Sequence, residues 1–210
     1  MSWGNIHSDA CLRRIKMIKN MFYIDAMSDN AAEQFKEIFV NNIKHKLDDC
    51  SHLIILCIGT DRATGDSLGP IAGHKLAASL NPKHISVFGT LEKPVHAKNI
   101  NHTLNFIQAA YEKPFIAAID ACLGKPESVG YITIGEGPVN PGAGLSKSLP
   151  TVGDLSITGI VNVATGMDFT VLQNTRLHLV MRMAEVIHDG ICFGLDYFYK
   201  NAGRINQNIV

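Results

Sequence analysis

Two unbroken apolar runs, residues 53–58 and 115–119, stand out in a chain whose other elements are amphipathic. A run this short, bounded by polar residues, predicts a parallel β-strand covered on both faces. Between and around the two runs the pattern changes period. Asn30 followed by Glu33 predicts a capped helix, carried onward by Phe35, Ile38, Phe39, Ile43 and Leu47 at helical spacing. Pro70 suits the first turn of a second helix, which Ile71, Leu76 and Leu80 continue to Asn81 and Pro82. Strands are predicted over 85–88, 129–134 and 157–163. Helices are predicted over 99–111, with Leu104, Ile107 and Ala110 on one side, and over 169–187, with Val171, Leu172, Leu179, Met183 and Val186 toward the core. A loop rich in glycine and proline fills 135–150, a length that in a compact domain points to function or mobility. Alternating strand and helix predicts an α/β fold, with one domain over 28–200, an N-terminal extension over 1–27 and a tail over 201–210.

Composition narrows the classes of function. The 210 residues are enough for one domain with a sizeable core. Nineteen basic residues balance nineteen acidic ones, which argues against direct nucleic-acid binding but leaves a basic protein partner open. The five cysteines (Cys11, Cys50, Cys57, Cys122 and Cys192) show neither a disulfide framework nor zinc spacing. Cys57 and Cys122 read as buried free thiols. Arg13, Arg14, Lys16 and Lys19 interrupt any signal-peptide core, and no run reaches the roughly 18 apolar residues of a membrane span. The expectation is a cytoplasmic, reduced protein with no membrane partner. Assembly into a homo-oligomer is left open.

The chemistry gathers after the two apolar runs. The first runs into a glycine-punctuated loop carrying Asp61 and Asp66, and the second runs directly into Asp120. Loops leaving the carboxyl ends of neighbouring parallel strands open into one crevice, so these acids are site candidates. Asp66 also suits a helix cap, and Asp61 suits a turn. Asp120 is costly to bury unless it is paired or used. If Asp66 and Asp120 meet, one pKa rises, and the pair titrates as a unit able to serve as acid and base toward a water attacking an amide. Alternatively, the two carboxylates and a third ligand hold a divalent metal that activates water. His96 is the candidate third ligand, because no histidine lies between Asp120 and His178. His74 reads as a helix surface or packing residue. Glu136 and Asp154, flanking the glycine–proline loop, are further oxygen donors.

Other chemistries are excluded. The loop from Gly59 to Ser67 carries Asp66 where a phosphate loop needs lysine, so a phosphate would meet a negative charge. No GxSxG elbow occurs. Cys122 has no histidine placed by sequence to activate it.

Several long motifs carry a family resemblance. Cys57-Ile-Gly-Thr-Asp-Arg-Ala-Thr-Gly-Asp-Ser-Leu-Gly-Pro70, Gly89-Thr-Leu-Glu-Lys-Pro-Val-His-Ala97 and Ala118-Ile-Asp-Ala-Cys-Leu-Gly124 resemble the YyaC-type sporulation proteins. So do Pro141-Gly-Ala-Gly144, Leu149-Pro-Thr-Val-Gly-Asp154, Thr158-Gly-Ile-Val-Asn-Val163 and Val171-Leu-Gln-Asn-Thr-Arg176. The likeness spans roughly residues 28–190. That group is similar, more distantly, to the germination protease that degrades small acid-soluble spore proteins and to the hydrogenase maturation proteases. The resemblance implies a three-layer α/β/α, phosphorylase/hydrolase-like fold in a spore-forming Gram-positive bacterium. It implies an endopeptidase of the forespore or spore core, with Asp66 and Asp120 as catalytic acids and Gly142 and Gly144 in a substrate loop. The chain departs from the maturation proteases in having no histidine soon after its second acid. It shows no counterpart of the germination protease's activation propeptide.

Three readings follow. The first is a two-aspartate peptidase that requires no cofactor and acts on a protein or peptide. The second is a non-enzymatic spore protein that uses the fold as a peptide- or partner-binding module. The third is a metal-dependent hydrolase built on Asp66, Asp120 and His96.

Overall fold

The structure is a computed structural model that describes residues 16–18, 21–44, 46, 52–80, 84–142 and 149–205. Its strands are β1 (Lys16–Ile18), β2 (Met21–Asp25), β3 (His52–Cys57), β4 (Ile85–Phe88), β5 (Pro114–Gly124), β6 (Tyr131–Glu136) and β7 (Leu155–Val163). They form one seven-stranded sheet in the order β1-β2-β6-β7-β5-β3-β4. β4, β3, β5 and β7 run parallel, and β6, β2 and β1 add an antiparallel flank. The helices are α1 (Ala31–Ile43), α2 (Leu68–Ser79), α3 (Ile100–Ala110), α4 (Asp168–Gln173) and α5 (Leu177–Ile205).

Three layers result, because the central strands are apolar on both faces. From β3, Leu53, Ile55 and Cys57 pack with Phe35 and Phe39 of α1, Leu76 of α2 and Met183 of α5. Ile54 and Leu56 face the other way, against Ile100 and Ile107 of α3 and Val139 and Val152 of the long loop. An α/β/α sandwich on a mixed sheet is the expected fold, and it is the observed one.

The connections open a crevice. After β3 the chain crosses one face as α2 to reach β4. After β4 it crosses the other face as α3 and returns to β5, on the far side of β3. Loops leaving β3 and β5 therefore diverge, and a ligand crevice lies outside their carboxyl ends.

Several expectations change. β2 pairs with β6 along its whole length, so residues read as an N-terminal extension supply sheet strands. Asn30 does precede α1 but makes no side-chain cap bond; its Oδ1 accepts hydrogen bonds from Ser28 and Gln34 instead. The capping box is not formed, and Leu47 lies outside the described residues. The helix expected over 169–187 is broken. Thr175 Oγ1 donates to the Val171 carbonyl at 2.9 Å and accepts from Asn162 Nδ2 at 3.2 Å. That knot separates α4 from α5, which then runs on to Ile205, past the boundary expected for the tail. The apolar run before Asp120 does not end a strand either, since β5 continues to Gly124.

Candidate active site

Asp120 lies inside β5, yet it borders open space, because β3 stops short. Cys57 is the last β3 residue paired with β5, opposite Ile119, and the Ile58 N–H bonds the Ile119 carbonyl at 2.7 Å. Beyond that point β5 pairs with β7 alone, with Asp120 opposite Thr158. The strand both shields and presents its acid. Asp120 is 7% exposed, and its Oδ1 accepts the Ala121 N–H at 2.8 Å.

Asp66 reaches the same place from the β3 loop. Gly59, at φ 140°, turns the chain sharply, and Thr60 N–H then bonds the Asp66 carbonyl at 3.1 Å. A Cβ at Gly59 would collide with that same carbonyl oxygen, so the turn requires glycine. Asp66 sits in a single helical turn, Gly65–Ser67, pinned by Ser67 Oγ donating to the Thr64 carbonyl at 2.6 Å. Ser67 occupies the cap position of α2 and no side-chain bond caps that helix, so Asp66 does not serve as its cap.

Burial, and next the charge of Asp66, hold the Asp120 carboxyl well above the usual carboxylate range, against the opposing Ala121 hydrogen bond. Burial also raises Asp66. A hydrogen bond from the Thr60 backbone and the charge of His96 pull it back. Two acids of unequal environment thus favour keeping one proton between them at pH values where free carboxyls are ionised. Cys122, two residues on, is pushed up to about 12 by burial and then by Asp120, which removes it as a thiolate nucleophile.

The pair stands where two lobes of a cleft meet. The larger, of about 430 Å³, is lined by Met21, Leu123, Val139, Thr158, Asp168 and Leu172, among others. The smaller, of about 190 Å³, is lined by Thr60, Arg62, His96, Lys98 and Leu149. Asp66, Asp120 and Gly142 border both.

The other expected residues divide. His96 joins the smaller lobe, where its Nδ1 accepts the Lys98 N–H at 3.3 Å. Gly142 joins both lobes at φ 68°, and Gly144 lies outside the described residues. Asp61 is exposed and lines a separate hollow with His74 and Leu91. Asp154 is also elsewhere. Its Oδ2 accepts the Ile116 N–H at 2.8 Å and its own N–H bonds the Ile116 carbonyl at 2.7 Å, which ties it to the amino end of β5. Glu136 lines a third hollow together with Asp154. Among the described residues, no group of three or more His, Cys, Asp and Glu is placed to hold a metal ion.

Residues not expected also appear. Arg62, Lys98 and Asp168 line the cleft. Asp168 follows the carboxyl end of β7, a strand parallel to β5. The rule that finds Asp66 and Asp120 would have found it, had residues 169–187 not been read as one uninterrupted helix with the loop before it set aside.

Comparison with known proteins agrees with the motifs. The family described as "Protein of unknown function (DUF1256)" matches residues 23–190. "Uncharacterized protein YyaC" of Bacillus subtilis (strain 168) is 47% identical over 169 residues, covering 80% of this chain and 81% of that protein. The resemblance to YyaC-type proteins is borne out. Among solved structures, a [NiFe] hydrogenase maturation protease HycI from Thermococcus kodakarensis KOD1 matches at 13% identity and a TM-score of 0.45, covering 75% of this chain and 98% of that one. A likeness so slight carries no chemistry across. No described helix is long and apolar enough to cross a membrane.

Proposed function

The chain belongs to the family described as "Protein of unknown function (DUF1256)", and we propose that it is a peptide hydrolase in which Asp66 and Asp120 act as one acid–base pair. The observation that carries this is the buried Asp120 carboxyl, raised well above the usual carboxylate range by burial and by Asp66 beside it, where the two lobes meet. Catalytic acids and bases with strongly shifted pKa values cluster in clefts of this kind.

The chemistry needs one proton on the pair. The ionised carboxylate takes a proton from water as the water oxygen bonds to the peptide carbonyl carbon. The protonated carboxyl gives its proton to the carbonyl oxygen, leaving a gem-diol and a pair that again holds one proton. In the second step a diol hydroxyl returns its proton to the carboxylate while the protonated partner protonates the nitrogen. The C–N bond breaks, a carboxyl and an amine leave, and the pair is restored. This route requires no cofactor.

The motif resemblance supports a sporulation or germination setting, with small acid-soluble spore proteins and short peptides derived from them as the first substrates to try. Purified protein incubated with them should yield discrete fragments, and Asp120→Asn should yield none. Intact substrate across the acid-to-neutral range, with and without added divalent metal, overturns the proposal.

A further inference from the structure

The two lobes of the cleft carry opposite charge. In the larger lobe, Asp168 is the one charged residue besides the shared pair among the described residues, and no described lysine, arginine or histidine lines it. The buried Oδ1 of Asp168 has no hydrogen-bond partner among the described residues. A shielded carboxylate oxygen left unpaired costs free energy unless something occupies it. The smaller lobe is the reverse. Besides the shared pair its described charged or titratable residues are Arg62, His96 and Lys98. No ion pair joins Arg62 or Lys98 to another described residue.

We infer that this cleft binds short peptides with free ends, placing the ammonium terminus toward Asp168 and the terminal carboxylate toward Arg62 and Lys98. The inference rests on the hydrolase reading above and names its substrate class. Orientation follows from the charges alone. An amino end driven into the smaller lobe would meet cations, and a carboxylate in the larger lobe would meet Asp168 with no compensating charge among the described lining residues. Arginine suits this task, because its fork matches a carboxylate geometrically. Lobes of about 430 and 190 Å³ are at the scale of small-ligand sites rather than protein interfaces. The scissile bond then lies over Asp66 and Asp120, which border both lobes.

The test uses one mixed-sequence tetrapeptide pool in four forms: free, N-acetylated, C-amidated and doubly blocked. Cleavage by the intact protein is followed by mass spectrometry. The free form should be cut at least tenfold faster than the doubly blocked one. Asp168→Asn should raise KM for free-amine peptides while leaving KM for the acetylated ones unchanged. Arg62→Gln with Lys98→Gln should do the same at the carboxyl end. Equal cleavage of free and doubly blocked peptides overturns the inference and leaves the hydrolase reading standing. If no form is cut, digestion of the spore proteins decides the hydrolase reading separately, and calorimetric binding of the same four forms to the intact protein decides the charge polarity. Tighter binding of the free form upholds the charge polarity, and equal or absent binding overturns it.

Discussion

Asp120 and Asp154 sit near opposite ends of the same strand, and strand direction separates their roles. Asp154, at the amino end of β5, spends its carboxylate on the Ile116 N–H and its own N–H on the Ile116 carbonyl. That pair of hydrogen bonds fixes the start of β7 against β5. Asp120, four residues beyond Ile116, lies past the point where β3 stops, beside Asp66 and above a cleft. One acid closes a structural gap and the other is buried beside a second charge. The sequence neighbourhoods look alike, an acid next to an apolar strand. The carboxyl end of a parallel strand is where the chain leaves a crevice, and the amino end is where it seals one.

The sharpest way to break this contrast is to exchange each acid for its amide. Asp120→Asn should lower peptide turnover by about 10²–10⁴-fold, the usual worth of a positioned acid–base group, and Asp154→Asn should leave it within a few-fold. Comparable losses in both would erase the distinction. Next, Gly59→Ala forces a side chain against the Asp66 carbonyl at a backbone angle that favours glycine. It should cost about 1–3 kcal/mol in urea unfolding and lower activity as well, because it displaces Asp66. Asp154→Ala leaves the Ile116 N–H without its partner and should cost a similar or smaller amount, about 1–2 kcal/mol, with the cleft intact. The smallest effect is in pH. Since the folded state raises Asp120, the native protein keeps a proton that the unfolded chain gives up above about pH 4. Its contribution to stability is therefore complete below that pH and is lost as pH rises through the folded value. Melting temperature should fall with rising pH over that window, and Asp120→Asn should flatten the slope and be the more stable protein at neutral pH.

Much of the fold was legible because its signals are local. The unbroken apolar runs of β3 and β5, and the boundaries of β4 and α3, follow from burial on both faces and from helical spacing. What was not legible depends on distant partners. Residues 21–25, Met-Phe-Tyr-Ile-Asp, have the aromatic and β-branched composition of a strand, but the run is short and its partner β6 is distant in sequence. The break between α4 and α5 has no glycine or proline. It forms because Thr175 and Asn162 bond across elements, and because the Gly65 turn packs against Leu172 and Thr175. The same packing bears on the site. A Cβ on Gly65 would strike both residues, so the helix break seats the turn that carries Asp66. Asp66, Asp120 and His96 were readable as acids and a base near strand ends. Arg62 and Lys98 became visible only once the cleft had walls, whereas Asp168 follows the end of β7 and was within reach of the strand-end rule.

The claim at the centre is that Asp66 and Asp120 share a proton. Carbon-13 NMR of carboxyl-labelled protein measures it directly, by following Asp120 through a pH titration in the intact chain and in Asp66→Asn. Asp120 should remain protonated well above the ordinary carboxylate range and should titrate lower once the Asp66 charge is gone. An Asp120 that ionises in the ordinary range, unmoved by the loss of Asp66, would contradict the pair.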